Sequence, residues 1–262
     1  MLRKFAWLIF PVALLVVFSV SGEVISGRPA DPWLASILLA ANGLIGGTLV
    51  LVAMRWLSGH LGVQRPSMRG FRGLAVGGLM GLGASLGSGL FALLAHPDLQ
   101  GVCLSEAFRA RSLVANISPA LVEEGSMRAG VVNLTAGFAG RGTGLLLGSI
   151  PFGLVHLVGL LFGKPVTASQ VLGTTMAGLL LSILYLRFGF WAAFASHWAW
   201  NSLAGFWVRL VGLPSPGGIN TFEGAPETVA VLTGLCLILW LSWPNRPRLA
   251  LAKAIGNSGA QS

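Results

Sequence analysis

Apolar runs long enough to cross a bilayer follow one another along most of the chain, and the stretches between them are too short for a water-soluble domain. A helix rising 1.5 Å per residue needs about 20 mostly apolar residues to span the hydrocarbon core. Eight segments meet that need, at 5–22, 33–54, 71–95, 114–138, 142–163, 168–187, 189–211 and 227–243. Backbone groups in lipid find no water to bond, so such runs dictate helices. The expected architecture is an all-α, polytopic membrane helix bundle of about eight transmembrane helices. It makes up a single integral membrane domain over residues 1–262, with no evident internal repeat.

Composition bears on what such a chain can bind. Charged residues make up 10%, against roughly 25% in soluble domains, and the mean hydropathy is +0.78. A net charge of +9 would suggest nucleic acid in a soluble protein. Here the basic residues flank the apolar runs, where they orient spans, and no nucleic-acid partner is expected. Placing the N-terminus inside puts Arg3, Lys4, Arg55, Arg65, Arg69, Arg72, Arg141, Arg187, Arg246, Arg248 and Lys253 on the cytoplasmic side. Arg28, Arg109, Arg111, Lys164 and Arg209 then face out, so both termini are expected in the cytoplasm. The first run has the shape of a signal peptide too, but its length favours a retained span. Residues 101–113 read as an interfacial helix leading into the fourth span. Cys103 and Cys236 give no disulfide framework and are read as free thiols.

Against that background the stretch L-V-E-E-G-S-M-R-A-G, Leu121 to Gly130, is anomalous. A charge at mid-bilayer costs about 2.5–3.5 kcal/mol on insertion scales, and the stretch contains Glu123, Glu124 and Arg128. Glu124 and Arg128 stand i,i+4, the favourable order for an ion pair on one helix face, and pairing lowers the desolvation cost of both. Glu123 points about 100° away and is left comparatively free. A carboxylate in such a setting serves as a general base. Structural glue between helices is the plainer role, and it suits Glu124 and Arg128 better than it suits Glu123.

Two further spans carry one histidine each. P-F-G-L-V-H-L places Phe152 and His156 at i,i+4, so the ring is positioned to orient the imidazole. S-H-W-A-W-N-S places His197 and Asn201 on one face at the same spacing. By residue count Glu123, His156 and His197 all fall within about 6 Å of the bilayer midplane. A base, a second proton-handling group and hydrogen-bond donors at one depth are what water attack on an amide requires.

The three motifs E-E-x-x-x-R at 123–128, F-x-x-x-H at 152–156 and H-x-x-x-N at 197–201, in this order, resemble the CPBP family. This is the group of CAAX-processing and bacteriocin-immunity intramembrane proteases. The likeness extends over spans four to seven, residues 114–211; the other spans carry no matching signature. One departure is local: the family often has Gly directly after the Arg, whereas Ala129 stands here and Gly follows at 130. The resemblance implies an eight-helix bundle with a central polar, water-filled cavity. It implies that Glu123 and His156 activate water, that His197 and Asn201 stabilise the oxyanion, and that Glu124 and Arg128 hold the site. Phe152 supports it. The family has been described both as glutamic and as metalloprotease. A metal-free site is favoured here, since H-E-x-x-H is lacking; His156, His197 and Glu123 are the ligands if zinc is used. The partners expected are membrane lipid and a peptide or protein substrate near the membrane, prenylated C-terminal peptides among the possibilities.

Competing readings are few. G-A-S-L-G at Gly83–Gly87 fits a serine-nucleophile motif in letters only. Gly77, Gly81, Ser85 and Gly89 recur every four residues as a helix-packing face. A proton-coupled membrane transporter would use the same polar residues, though repeat symmetry is missing. An immunity-type binding protein would keep the fold without turnover.

Overall fold

The computed structural model describes residues 5–26, 31–95, 110–163 and 166–210, with the side chains at 26, 88–95, 169 and 204–210 left aside. The described residues are helical and contain no strand. A 3-10 turn at Ala6–Leu8 leads into α1 (Ile9–Ser26), followed by α2 (Pro32–His60) and α3 (Phe71–Ala95). Then come the short α4 (Ala110–Ala115) and α5 (Ile117–Glu124), a π-helical stretch Gly125–Val132, and α6 (Asn133–Ala139). The chain continues through α7 (Arg141–Val155), which tightens into a 3-10 segment His156–Phe162, and then through α8 (Ala168–Phe188) and α9 (Phe190–Leu210), where the described residues stop.

Among the described residues, four helices are long and apolar enough to cross a membrane: Ala6–Ile25, Pro32–His60, Arg141–Phe162 and Gln170–Phe188. Their outward faces carry bare Leu, Ile, Val and Trp side chains, as expected of an integral membrane protein. The expected segments at 71–95 and 114–138 are helical too, as is 189–211 over Phe190–Leu210, while 227–243 and most of 101–113 lie outside the described residues. Two expected spans are not regular helices. Segment 114–138 widens into the π turn, and 142–163 tightens after Pro151, whose missing N–H interrupts the ladder one turn before His156.

In lipid, helices are held by close packing of small residues. A row on α2 shows how. Gly43 lies against Ser118, Gly47 against Leu121, Val50 against Gly125 and Met54 against Gly130, so α2 runs along α5 and the π turn. A Cβ at Gly43 or Gly47 would collide with α5. The second seam joins α3 to α9, where Gly77 touches the Ala192 backbone and Gly81 that of Ser196. Between the seams lies a core of Leu15, Met54, Met127, Leu134, Phe152, Leu184 and Phe190.

One end of the bundle is tied by polar groups. Asn133 donates to Ser58 Oγ at 3.2 Å and to the Gln64 carbonyl at 2.8 Å, and accepts from the Tyr185 hydroxyl at 3.0 Å. The Phe190 N–H reaches the Ser67 carbonyl at 2.7 Å across the α8–α9 corner. Gly189 makes that corner at φ +88°, where a Cβ would also press on the Ser67 carbonyl at 2.8 Å. The α2–α3 loop, α6 and the end of α8 are thereby clasped together.

Candidate active site

Five of the seven side chains singled out by the sequence line one cavity, and Glu124 and Arg128 join it through His197 and Phe152. α5 ends at Glu124 and the helix widens over Gly125–Val132, all of it buried. Gly125 and Gly130 allow the close approach: a Cβ on the first would sit 3.1 Å from Val50 Cγ1, and on the second 2.7 Å from Pro11 Cβ. The glycine displaced to 130 is therefore the contact with α1. π turns within α-helices are rare and concentrate at functional sites.

Arg128 lies inside this turn. Its Nε is 3.1 Å from Glu124 Oε2, and both side chains are wholly buried. The contact is an ion pair without the alignment of a good hydrogen bond, and the two outer guanidinium nitrogens have no hydrogen-bond partner among the described residues. The charge is met instead by the Phe152 ring, whose centroid lies 4.4 Å below the guanidinium carbon. Glu124 has a second partner on another helix: its Oε1 accepts from His197 Nδ1 at 2.9 Å. Helical spacing within α5 could not reveal that contact.

That hydrogen bond fixes His197. A carboxylate only accepts, so Nδ1 bears the proton and Nε2 is turned the other way. Nε2 stands 3.8 Å from Glu123 Oε2. Phe152 packs edge-on against the His197 ring at 5.9 Å and against the His156 ring at 5.3 Å, so one aromatic side chain spaces both imidazoles. His156 Nδ1 lies 2.9 Å from the Phe152 carbonyl, again as donor, which presents its Nε2 as an acceptor.

Glu123, His156, His197, Asn201 and Phe152 line one cavity of about 210 Å³. Glu124 and Arg128 stand behind its wall. The cavity is completed by residues that the sequence did not single out: Gln170 and Thr174 from α8, Ala84 from α3, and Ser196 and Trp200 from α9. Gln170 and Thr174 share a helix face at i,i+4, a polar pair in an apolar run, and that spacing was the available signal. The Thr174 hydroxyl bonds back to the Gln170 carbonyl at 2.8 Å, so its role in the wall is steric. Ser85 is fully buried, takes part in interactions of its own and is not among the residues of this cavity.

Among the described residues no three His, Cys, Asp or Glu side chains are grouped so as to hold a metal ion. Glu123 and His197 approach each other, and with His197 Nδ1 held by Glu124 and His156 Nδ1 by a carbonyl, both rings keep Nε2 for other partners.

No curated protein and no solved structure matches the chain. Residues 105–203 match the family model described as type II CAAX prenyl endopeptidase Rce1-like. The matched segment contains the π turn, both histidines and Asn201. Over residues 105–203, somewhat more than a third of its length, the chain is thus similar to the CAAX-protease family.

Proposed function

We propose that the protein is an intramembrane endopeptidase that hydrolyses a peptide bond of a membrane-associated or lipidated substrate. The observation that supports this most directly is the single cavity onto which Glu123, His156, His197 and Asn201 all open. In this reading Glu123 takes a proton from a water that His156 Nε2 also holds. The water oxygen attacks the scissile carbonyl carbon, and the carbonyl oxygen becomes an oxyanion. Asn201 supplies a hydrogen bond to it, and His197 another when it is protonated at Nε2 as well as at the Nδ1 held by Glu124, in the manner of an oxyanion hole. Collapse breaks the C–N bond, and the proton held by Glu123 passes to the leaving amine. Glu124 and Arg128 position the site through His197 and Phe152. No step requires a metal. The bundle is proposed to complete eight spans with 227–243 and to keep both termini in the cytoplasm.

The test uses the purified protein in lipid nanodiscs and a farnesylated peptide with a CAAX terminus. Cleavage by wild type, its loss in Glu123→Gln, and activity retained in strong chelator are expected. Stoichiometric zinc in wild type, lost in His156→Ala and in His197→Ala, would overturn the metal-free mechanism. Proton flux in proteoliposomes that depends on Glu123, with no peptide cleaved, would replace the hydrolytic reading by transport. Comparing membrane proteomes of cells carrying wild type or Glu123→Ala would identify natural substrates.

A further inference from the structure

Glu123 lines a second cavity. It has a volume of about 260 Å³ and lies among α1, α2, α4 and α5, whereas the first is walled by α3, α7, α8 and α9; Glu123 is the residue common to both. Its lining is polar for a site in a membrane bundle. α1 contributes Ser19 and Glu23, and the entry to α5 contributes Asn116 and Ser118. A cavity with several polar groups holds ordered water where an apolar one stays dry, and at about 30 Å³ per molecule this one has room for several waters.

Two requirements meet at that place. Glu123 Oε2 is buried and receives no hydrogen bond from any described residue. A buried carboxylate oxygen without a donor is costly, and water is the donor a neighbouring polar cavity supplies. Hydrolysis also consumes one water per turnover. The water oxygen stays on the new carboxyl group and the hydrogens are shared between the two products. With a peptide seated between His156 and His197, the first cavity is closed by its own substrate, so the next water has to arrive from another direction.

We propose that the second cavity is a water reservoir that delivers the hydrolytic water to Glu123 from the side opposite the substrate. The inference rests on the hydrolytic reading above. A lipid or prenyl chain is the competing occupant, and the carboxylate of Glu23 with Ser19 and Asn116 makes a poor lining for one.

The experiment uses the full chain with Cys103→Ser and Cys236→Ser, in nanodiscs. Ser19→Cys is treated with a small cationic methanethiosulfonate, which reacts with thiols in contact with water. Val17→Cys, two residues away on the 60% exposed apolar face of α1, is the lipid-facing control. Ser19→Cys is expected to react and Val17→Cys to resist. Gly22 is the place for a plug, since a Cβ there has Leu39 Cδ2 as nearest neighbour at an ordinary 3.8 Å. Gly22→Phe should block labelling and lower kcat on the farnesylated peptide roughly tenfold or more, with KM within about twofold, because supply acts after substrate binds. Gly22→Ala should leave both intact. Should Gly22→Phe fail to fold, the reagent on Ser19→Cys is itself a plug installed after folding, and kcat should fall as labelling proceeds. An unreactive Ser19→Cys, a blocked cavity with unchanged kcat, or equal losses in Gly22→Ala and Gly22→Phe would each overturn the proposal. Labelling as expected in a wild type that cuts nothing would overturn the hydrolytic reading and the supply role together, leaving a wet cavity of other purpose.

Discussion

Glu123 and Glu124 are neighbours in the chain and belong to opposite regions of the site. Behind the wall, Glu124 is wholly buried, ion-paired to Arg128 and hydrogen-bonded to His197. On the cavity side, Glu123 is partly exposed and makes only a long 3.8 Å approach to His197 Nε2. A rotation of about 100° per residue separates the two. Charge that is paired in low dielectric holds geometry; charge left unpaired is available to a substrate or a proton. The dry region can therefore carry precision and the wet region chemistry, with His197 touching both.

The largest expected effect tests that division at its wet side. Glu123→Gln keeps size and removes the base, so cleavage should fall by ~10²–10⁴-fold while abundance and melting in detergent stay at wild type. Activity within threefold of wild type would sink the role assigned to Glu123. The dry side should answer in the other currency. Arg128→Ala should lower stability toward the low end of the ~3–5 kcal/mol for a broken buried pair, since Glu124 keeps His197. Glu124→Gln with Arg128→Ala should melt higher than Arg128→Ala alone, and a double variant no more stable would mean the pair is not coupled. Asn201→Ala should reduce kcat by ~10²–10³ with KM little changed, as for one oxyanion donor. A rise in KM alone would make Asn201 a substrate-binding residue. The smallest effect belongs to the shared spacer. Phe152→Leu gives up the cation–π contact, about 2 kcal/mol when desolvated, and should lower both melting temperature and kcat modestly. A change in only one of the two would show that Phe152 serves one region.

Much of this was legible because membranes simplify the code. Length and apolarity place the helices, and i,i+4 spacing places Glu124 with Arg128, Phe152 with His156 and His197 with Asn201 on common faces. What the letters do not carry is which neighbour a face meets. The Glu124–His197 bond joins residues 73 apart in sequence and depends on how α9 is seated by Gly77 and Gly81. The π turn was invisible for another reason. Gly125, Ser126, Ala129 and Gly130 permit a wide turn without requiring one, and only packing against Pro11 and Met54 selects it. Gln170 and Asn116 went unremarked because single amides in apolar runs are ordinary until a cavity is found beside them.

The clasp around Asn133 has a mechanical consequence. It pins α8 near Tyr185, whereas Thr174, in the wall of the cavity beside His156 and His197, lies eleven residues away, about 16 Å along the axis at 1.5 Å per residue. Toward its start α8 packs on α7 instead, Thr175 and Val171 against Gly153, so the two helices would swing together as a lever. Rocking α8 by about 5° around the clasp moves the Thr174 backbone ~1.4 Å and the Tyr185 ring hardly at all, by the same helical geometry. Small angles at a distant pivot would thus change the gape of the cavity, and stiffness at Asn133 bears on it.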